Sequence, residues 1–177
     1  MFPLVKHKNF YSLKNMENKS EMHLLETENI GDIVGLLEIL EDLGRKVDIA
    51  TLDDSLDEER TTLLNLLNDA EALGLVNVEE GDVSLTSKGS DFLKSDINER
   101  KSKLKTLLTG LEPFSSLIRL LKTSDENALY REDLEEFIAE NFPSEDPEST
   151  FRLILNWGRY SRLVDYDADE ETLTYIT

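Results

Sequence analysis

Apolar residues recur at helical spacing in the middle of this chain, and two short stretches of alternating apolar and polar residues follow them. Gly74 lies between the two patterns, at a place where glycine commonly ends a helix. Residues 76–86, VNVEEGDVSLT, then predict two short strands around a turn at Gly81-Asp82. One buried helix face before Gly74 is predicted by apolar residues at positions i, i+3, i+4 and i+7: Leu63, Leu66, Leu67 and Ala70.

The same pattern returns at a constant offset of 88 residues. Residues 66–86 align with residues 154–174 without a gap. A repeat of this length indicates two copies of one supersecondary unit. The matching pairs are Leu67-Asn68 with Leu155-Asn156, Leu75-Val76 with Leu163-Val164, and Leu85-Thr86 with Leu173-Thr174.

Further helices precede the hairpin in each copy. In the first copy, an apolar stripe predicts a helix at 32–44, and VDIATL follows as a short apolar piece. In the second copy, helices are predicted at 114–122, 130–142 and 147–162, and Pro147 suits a first helical position. The order is helix, short helix, helix and two-stranded hairpin, which is the order of a winged helix. We therefore predict a mostly α protein with small β-hairpins, in which a long helix joins tandem winged-helix domains.

These elements divide the chain into four parts. Residues 1–28 show no sustained period and are predicted to form a mobile N-terminal arm. Residues 29–96 form the first winged helix and residues 110–177 the second. Thr86 and Ser87 can each cap the helix that follows them, which predicts a connecting helix over 87–109.

The composition narrows the function classes. The chain carries 38 Asp and Glu against 19 Lys and Arg, a formal net charge of −19. Such a charge repels phosphate backbones and disfavours nucleic acid as a partner. Cysteine is absent, and the most apolar run, residues 33–40, is far too short to span a bilayer. We expect a cytoplasmic protein with no direct membrane insertion.

The third helix of each copy has an outer face that a DNA-binding protein would insert into the major groove. In the second copy, Leu153, Trp157 and Tyr160 lie on this face; in the first copy, the equivalent residues are Asn65, Asp69 and Ala72. An apolar, aromatic stripe with a charged rim is typical of a protein interface. We predict a partner-binding face formed by Leu153, Trp157, Tyr160, Arg152 and Arg159. The alternative is that Trp157 and Tyr160 pack between the two copies or under the connecting helix.

A basic cluster stands out against the acidic surroundings. It consists of Arg100, Lys101, Lys103 and Lys105 on the predicted connecting helix. One interpretation is a solvated helix face that pairs with nearby Glu and Asp. The other is an electrostatic dock for an acidic partner surface.

Sites for catalysis, nucleotides or metals are not indicated. The sequence has no phosphate-binding glycine loop and no GxSxG motif. His7 and His23 lack histidine or cysteine partners at metal-binding spacing. The run 165–171, DYDADEE, lacks the glycine and the glutamate of a calcium loop, so we interpret it as an acidic hairpin turn. We expect no enzyme activity, cofactor, metal or small-molecule substrate.

Three stretches stand out together: IGDIVGLLEIL (30–40), EEGDVSLTSKGSDFLKSDINERKSKL (79–104) and WGRYSRLVDYDADEETLTY (157–175). Together they resemble the AAA-associated C-terminal domain family, which is appended to ATP-binding subunits of ABC importers of the nitrate, sulfonate and taurine class. The family pattern combines a GLLE helix, a glycine-aspartate hairpin running into LTxxG, a D-I-xx-R-K segment and a terminal W-G-R-Y. These motifs correspond here to Gly35 to Glu38, Gly81-Asp82, Leu85 to Gly89, Asp96 to Lys101, and Trp157 to Tyr160.

The resemblance implies a non-catalytic regulatory or assembly module. Its partner would be an ABC importer's ATPase subunit or another copy of itself, which places it in the cytoplasm at the inner face of a membrane. The family domain usually follows an ATPase on the same chain, and this sequence contains none. It is therefore a stand-alone copy acting in trans, a fragment, or a copy put to another use. The alternative function is a winged-helix transcriptional regulator that binds DNA.

Overall fold

The computed structural model describes residues 22–44, 46–56 and 60–177. Residues 1–21 of the predicted arm lie outside this range. The described residues form eight α-helices and six short strands. The helices are α1 Ile30–Leu43, α2 Ile49–Leu56, α3 Arg60–Ala72, α4 Ser87–Lys94, α5 Ile97–Leu108, α6 Phe114–Thr123, α7 Arg131–Asn141 and α8 Pro147–Tyr160. The strands are β1 Val47–Asp48, β2 Val76–Glu79, β3 Asp82–Leu85, β4 Ala128–Tyr130, β5 Val164–Asp167 and β6 Thr172–Tyr175.

Two halves of the chain share one order of elements: helix, strand, helix, helix and two strands. Each half has a three-stranded antiparallel sheet, with strand orders β1-β3-β2 and β4-β6-β5. The predicted hairpins are therefore each extended by a third strand. These added strands, β1 and β4, come from short segments that the sequence pattern did not separate from the helices following them.

The hairpin turns differ between the halves. The first turn has two residues, Glu80 and Gly81, both at positive φ (52° and 82°), as a tight right-twisted hairpin requires. The second turn has four residues, 168–171. Val83 pairs with Val78, whereas Leu173 pairs with Tyr166. The offset of 88 residues therefore relates the two halves as far as β2 and β5. Beyond the turn, β6 lies two residues further along the chain than this offset from β3 predicts.

Both third helices, α3 and α8, end in the same way. Gly74 (φ 78°) and Arg162 (φ 59°) occupy equivalent left-handed positions. The amide of the next residue bonds back in both copies, from Leu75 to the carbonyl of Ala70 and from the equivalent Leu163 to Gly158. The prediction that Gly74 ends its helix is confirmed, and the second copy uses an arginine in a conformation that favours glycine.

The predicted single connecting helix is wrong: two helices, α4 and α5, replace it. Ser95 between them has extended backbone (ψ 148°), and Asp96 begins α5. The Asp96 carboxylate accepts the amide of Glu99 at 2.9 Å, and the Glu99 carboxylate accepts the amide of Asp96 at 3.2 Å. This reciprocal capping starts a new helix and stabilises the break.

One continuous hydrophobic core runs through both halves. Its largest fully buried side chains include Trp157, Phe92, Phe114 and Phe137. Leu104 and Leu108 of α5 lie in the same core, so the connecting segment packs against both halves rather than separating them. Within the described ranges, every helix is too short or too polar to cross a bilayer.

Candidate functional site

The outer faces of α3 and α8 both contact residues 23–28, which we call the docked segment. This segment belongs to the predicted mobile arm. In the structure it is held by side chains of both third helices and by the backbone of Glu112, just before α6. The expectation of a mobile arm is therefore wrong for these residues, because their backbone polar groups bond to the rest of the chain.

Asp69 of α3 holds one side of the docked segment. Its carboxylate is fully buried and accepts the amides of Glu26 at 3.0 Å and Thr27 at 2.6 Å. His23 Nε2 lies 2.6 Å from the same carboxylate. A buried carboxylate requires such donors, since an unpaired charge in the interior is costly.

Three residues of α8 hold the other side. Trp157 is fully buried, and its Nε1 donates to the carbonyl of Thr27 at 2.9 Å. Asn156 Nδ2 donates to the carbonyl of Glu28 at 3.2 Å, and Arg152 pairs with the Glu28 carboxylate at 2.5 Å. This pairing raises the pKa of Arg152 and keeps its guanidinium charged.

Asp69 and Trp157 lie 88 residues apart, which is the offset of the predicted repeat. One supplies a carboxylate that accepts N–H groups, and the other supplies an indole N–H that donates to a carbonyl. The acidic third helix, α3, therefore binds N–H groups of the extended docked segment, and the aromatic third helix, α8, binds a carbonyl group of it.

The start of the docked segment is tied to the chain before α6. The amide of Leu25 donates to the carbonyl of Glu112 at 2.8 Å, and the amide of Glu112 donates to the carbonyl of His23 at 2.9 Å. Leu24 and Glu112 form a parallel β-bridge. Leu25 and Thr27 are buried, whereas Glu26 is exposed, which is the alternation of a strand.

The predicted partner-binding residues have different environments. Leu153 and Trp157 are 3% and 0% exposed, which corrects the expectation of an exposed stripe. The alternative, packing inside the chain, describes Trp157, while Tyr160 is half-buried with Lys101 of α5 over its ring. Arg152 and Arg159 are exposed, and Arg159 lies 3.9 Å from Asp165. Partner binding through these residues stays a prediction, and for Trp157, whose indole binds Thr27, it requires the docked segment to leave.

Two members of the basic cluster bind α4. Arg100 donates to the carbonyls of Phe92 at 3.1 Å and Leu93 at 2.5 Å, where α4 ends. Lys103 Nζ donates to the hydroxyl of Ser95. Cations at a helix C-terminus satisfy its free carbonyls and oppose its dipole, so these contacts stabilise the bend between α4 and α5.

The other two members contact the second half. Lys101 lies over the ring of Tyr160, 5.5 Å from its centroid, and Lys105 donates to the carbonyl of Ile176 at 3.3 Å. The basic cluster therefore binds carbonyls, a hydroxyl and an aromatic ring of its own chain. These contacts favour a structural role, and the electrostatic dock stays a prediction.

The acidic run at 165–171 uses a carboxylate to order its turn. Asp167 accepts the amides of Asp169 at 2.9 Å and Glu170 at 3.1 Å. Such a side-chain-capped turn is the structure that Asp favours locally. This geometry agrees with the interpretation of the run as an acidic hairpin turn.

Replacing Glu26 by glutamine should stabilise the protein slightly at pH 7. Partial desolvation of the carboxyl group in the folded chain raises the pKa of Glu26, and the neighbouring carboxylates of Glu145 and Asp69 add to this effect. The folded state therefore holds the Glu26 proton more tightly than the unfolded state, so stability falls as pH rises through the raised pKa. We expect E26Q to gain less than about 0.5 kcal/mol, since water screens this exposed side chain.

Chemical denaturation at pH 7 and below pH 4.5 measures this effect, and the gain should shrink at the lower pH because Glu26 is then protonated in both states. Glu28→Gln is the matched control. It weakens the pair with Arg152 and should bring no gain at pH 7. A less stable E26Q at pH 7 would contradict this description of the docked segment.

Comparison with known protein families gives one match. The family model of the C-terminal AAA-associated domain matches residues 50–167, which include both third helices with Asp69 and Trp157. The family resemblance noted in the stretches 30–40, 79–104 and 157–175 is thus confirmed, over a match that leaves out the first of them. No curated protein and no solved structure gives a significant match. Because the matched residues make up more than half of the 177 in the chain, the protein belongs to the C-terminal AAA-associated domain family.

Proposed function

We propose that this protein is a non-catalytic interaction module that binds the ATP-binding subunit of an ABC importer of the nitrate, sulfonate and taurine type. The observation that carries the proposal is the family match over residues 50–167, which spans most of both repeated units. In this role the protein acts in the cytoplasm, at the inner face of the membrane, through its partner.

The proposal includes two winged helices as the scaffold. In each half, a strand and two helices follow the first helix, and a hairpin follows the third. In each half the first strand pairs with the last one, β1 with β3 and β4 with β6. This order and pairing support the winged-helix interpretation of both halves, with α3 and α8 as the third helices.

A DNA-binding regulator is the alternative function, and three observations weigh against it. The outer face of α8 packs on the docked segment through Trp157. The outer face of α3 carries a carboxylate, Asp69, that is buried against the docked segment, where a groove-reading helix needs exposed donors or cations. The net charge of −19 opposes binding to phosphate backbones.

Binding of the purified protein to a purified ATP-binding subunit of this importer class tests the proposal. Calorimetry should show saturable binding, and the protein alone should show no ATP hydrolysis. Sedimentation of the protein alone measures self-association, because the second proposed partner is another copy of the protein. Absence of subunit binding, together with duplex DNA binding that weakens steeply with salt, would contradict the proposal and favour the regulator.

A further inference from the structure

The docked segment is held mainly through its backbone. The amides of Leu25, Glu26 and Thr27 and the carbonyls of His23, Thr27 and Glu28 all bond to the rest of the chain. Main-chain hydrogen bonds combined with side-chain positions at alternate residues are the means by which proteins bind extended peptides. The outer faces of α3 and α8 and the backbone of Glu112 therefore form a cleft that holds the docked segment as an extended peptide would be held.

We propose that this cleft is a binding site for an extended peptide, that residues 23–28 occupy it in cis, and that a partner protein's extended segment of the same pattern takes their place. The claim that a partner protein supplies the displacing segment rests on the proposed function. The cleft itself rests on the contacts of this chain alone.

Side-chain contacts define the peptide pattern. Leu25 is 3% exposed and packs in the core, so the first position takes a branched apolar residue. The second side chain, Glu26, is exposed, and the third, Thr27, is buried. Glu28 pairs with Arg152, so the fourth position takes a carboxylate. The pattern is a branched apolar residue, any residue, a buried residue and a carboxylate, which residues 25–28 meet as Leu-Glu-Thr-Glu.

The resident segment is an imperfect ligand. The second position is a glutamate close to Asp69 and Glu145, whose like charges oppose its ionisation. The Thr27 hydroxyl is buried without a hydrogen-bond partner among the described residues, which is a cost of docking. A cavity of about 210 Å³, lined in part by Thr27, Asn65 and Leu66, leaves room for a larger side chain. These costs can be tolerated in cis, because covalent attachment provides a high effective concentration.

A synthetic peptide of residues 22–29, MHLLETEN, labelled with fluorescein, is the probe. The host is the full chain carrying Leu25→Asp, which places a charge at the buried anchor and weakens the resident segment. Fluorescence anisotropy should show binding about tenfold tighter or more than to the wild-type chain, whose cleft is occupied. The same peptide with aspartate in place of Leu25 should not bind.

A matched control distinguishes release of the docked segment from a general effect of introducing an aspartate. Leu43→Asp makes the same change at a side chain that is 47% exposed on α1, and it should leave peptide binding at the wild-type level. Glu26→Pro is the second host. It removes an amide that donates to Asp69 but alters only an exposed side chain, so the core is preserved.

Each outcome decides the proposal. Tighter peptide binding to at least one folded host, with binding to the Leu43→Asp control unchanged from wild type, supports it. If the Leu25→Asp and Glu26→Pro chains are both folded by circular dichroism and both bind the peptide no better than wild type, the proposal is overturned. The assay contains no ATPase subunit, so a chain that binds the peptide but not the subunit would contradict only the proposed function.

Discussion

Replacing Gly89 by alanine is expected to lower the free energy of unfolding by about 3 kcal/mol or more. A Cβ at this position would lie 2.0 Å from the carbonyl oxygen of Leu75 and 3.0 Å from its carbonyl carbon. Both atoms belong to the backbone, and the same carbonyl accepts the amide of Thr86. The clash can therefore be relieved only by moving α4 away from the Leu75 backbone, just before β2.

Gly35→Ala is the matched control for this prediction. Gly35 also lies in a helix, α1, but a Cβ there would meet nothing within 4 Å. Alanine should then stabilise the protein by about 0.5–1 kcal/mol, because glycine loses more backbone entropy in a helix. Thermal unfolding of both variants measures the contrast. Equal melting temperatures for the two variants would show that α4 does not pack on the Leu75 backbone.

Trp157→Ala is expected to cost about 3–5 kcal/mol of folding free energy. The side chain is fully buried, so its removal leaves a cavity in the core. It also leaves the Thr27 carbonyl without its indole donor, which adds the cost of an unsatisfied acceptor. The docked segment should therefore loosen as the second half loses stability.

Trp157→Phe separates the two contributions. It keeps most of the apolar volume and removes the N–H, so it should cost only about 1–3 kcal/mol and act mainly on the docked segment. Urea denaturation gives the stability, and limited proteolysis near residues 22–28 reports on the segment. A Trp157→Ala protein as stable as wild type would show that the indole is not part of the core.

The terminal W-G-R-Y motif has a physical explanation in this fold. Trp157 binds the docked segment, and Tyr160 packs under Lys101 of α5. Gly158 is required by close packing, since a Cβ there would lie 2.4 Å from Val164 Cγ2 and 3.4 Å from Phe114. The motif therefore joins α8 to the segment, to β5 and to the connecting region.

Helices with strong apolar periodicity were predictable from the sequence. The stripe in α8 gave the helix, and Pro147 marked its first turn within the predicted range. Helical spacing also placed Trp157 on one outer face with Leu153 and Tyr160. What covers that face was not predictable, because a segment of six residues held by backbone hydrogen bonds leaves no periodic signal and lies 130 residues away in sequence.

The break between α4 and α5 was predictable in principle. Asp96 and Glu99 have the spacing of a capping box, which begins a helix rather than continuing one. The helical propensity of the residues around them favoured a single helix instead. The short strands β1 and β4 were not predictable in the same way, since two or three residues carry too little pattern and depend on pairing with β3 and β6.

Amide hydrogen exchange at Glu26 and Thr27 of the full chain tests the central claim most directly, namely that the outer faces of α3 and α8 bind the chain's own segment. Both amides donate to the buried carboxylate of Asp69, so we predict exchange that is strongly slowed relative to an unstructured peptide. We also predict that Asp69→Asn weakens this protection. Exchange at the unprotected rate in the folded wild-type protein would contradict the claim.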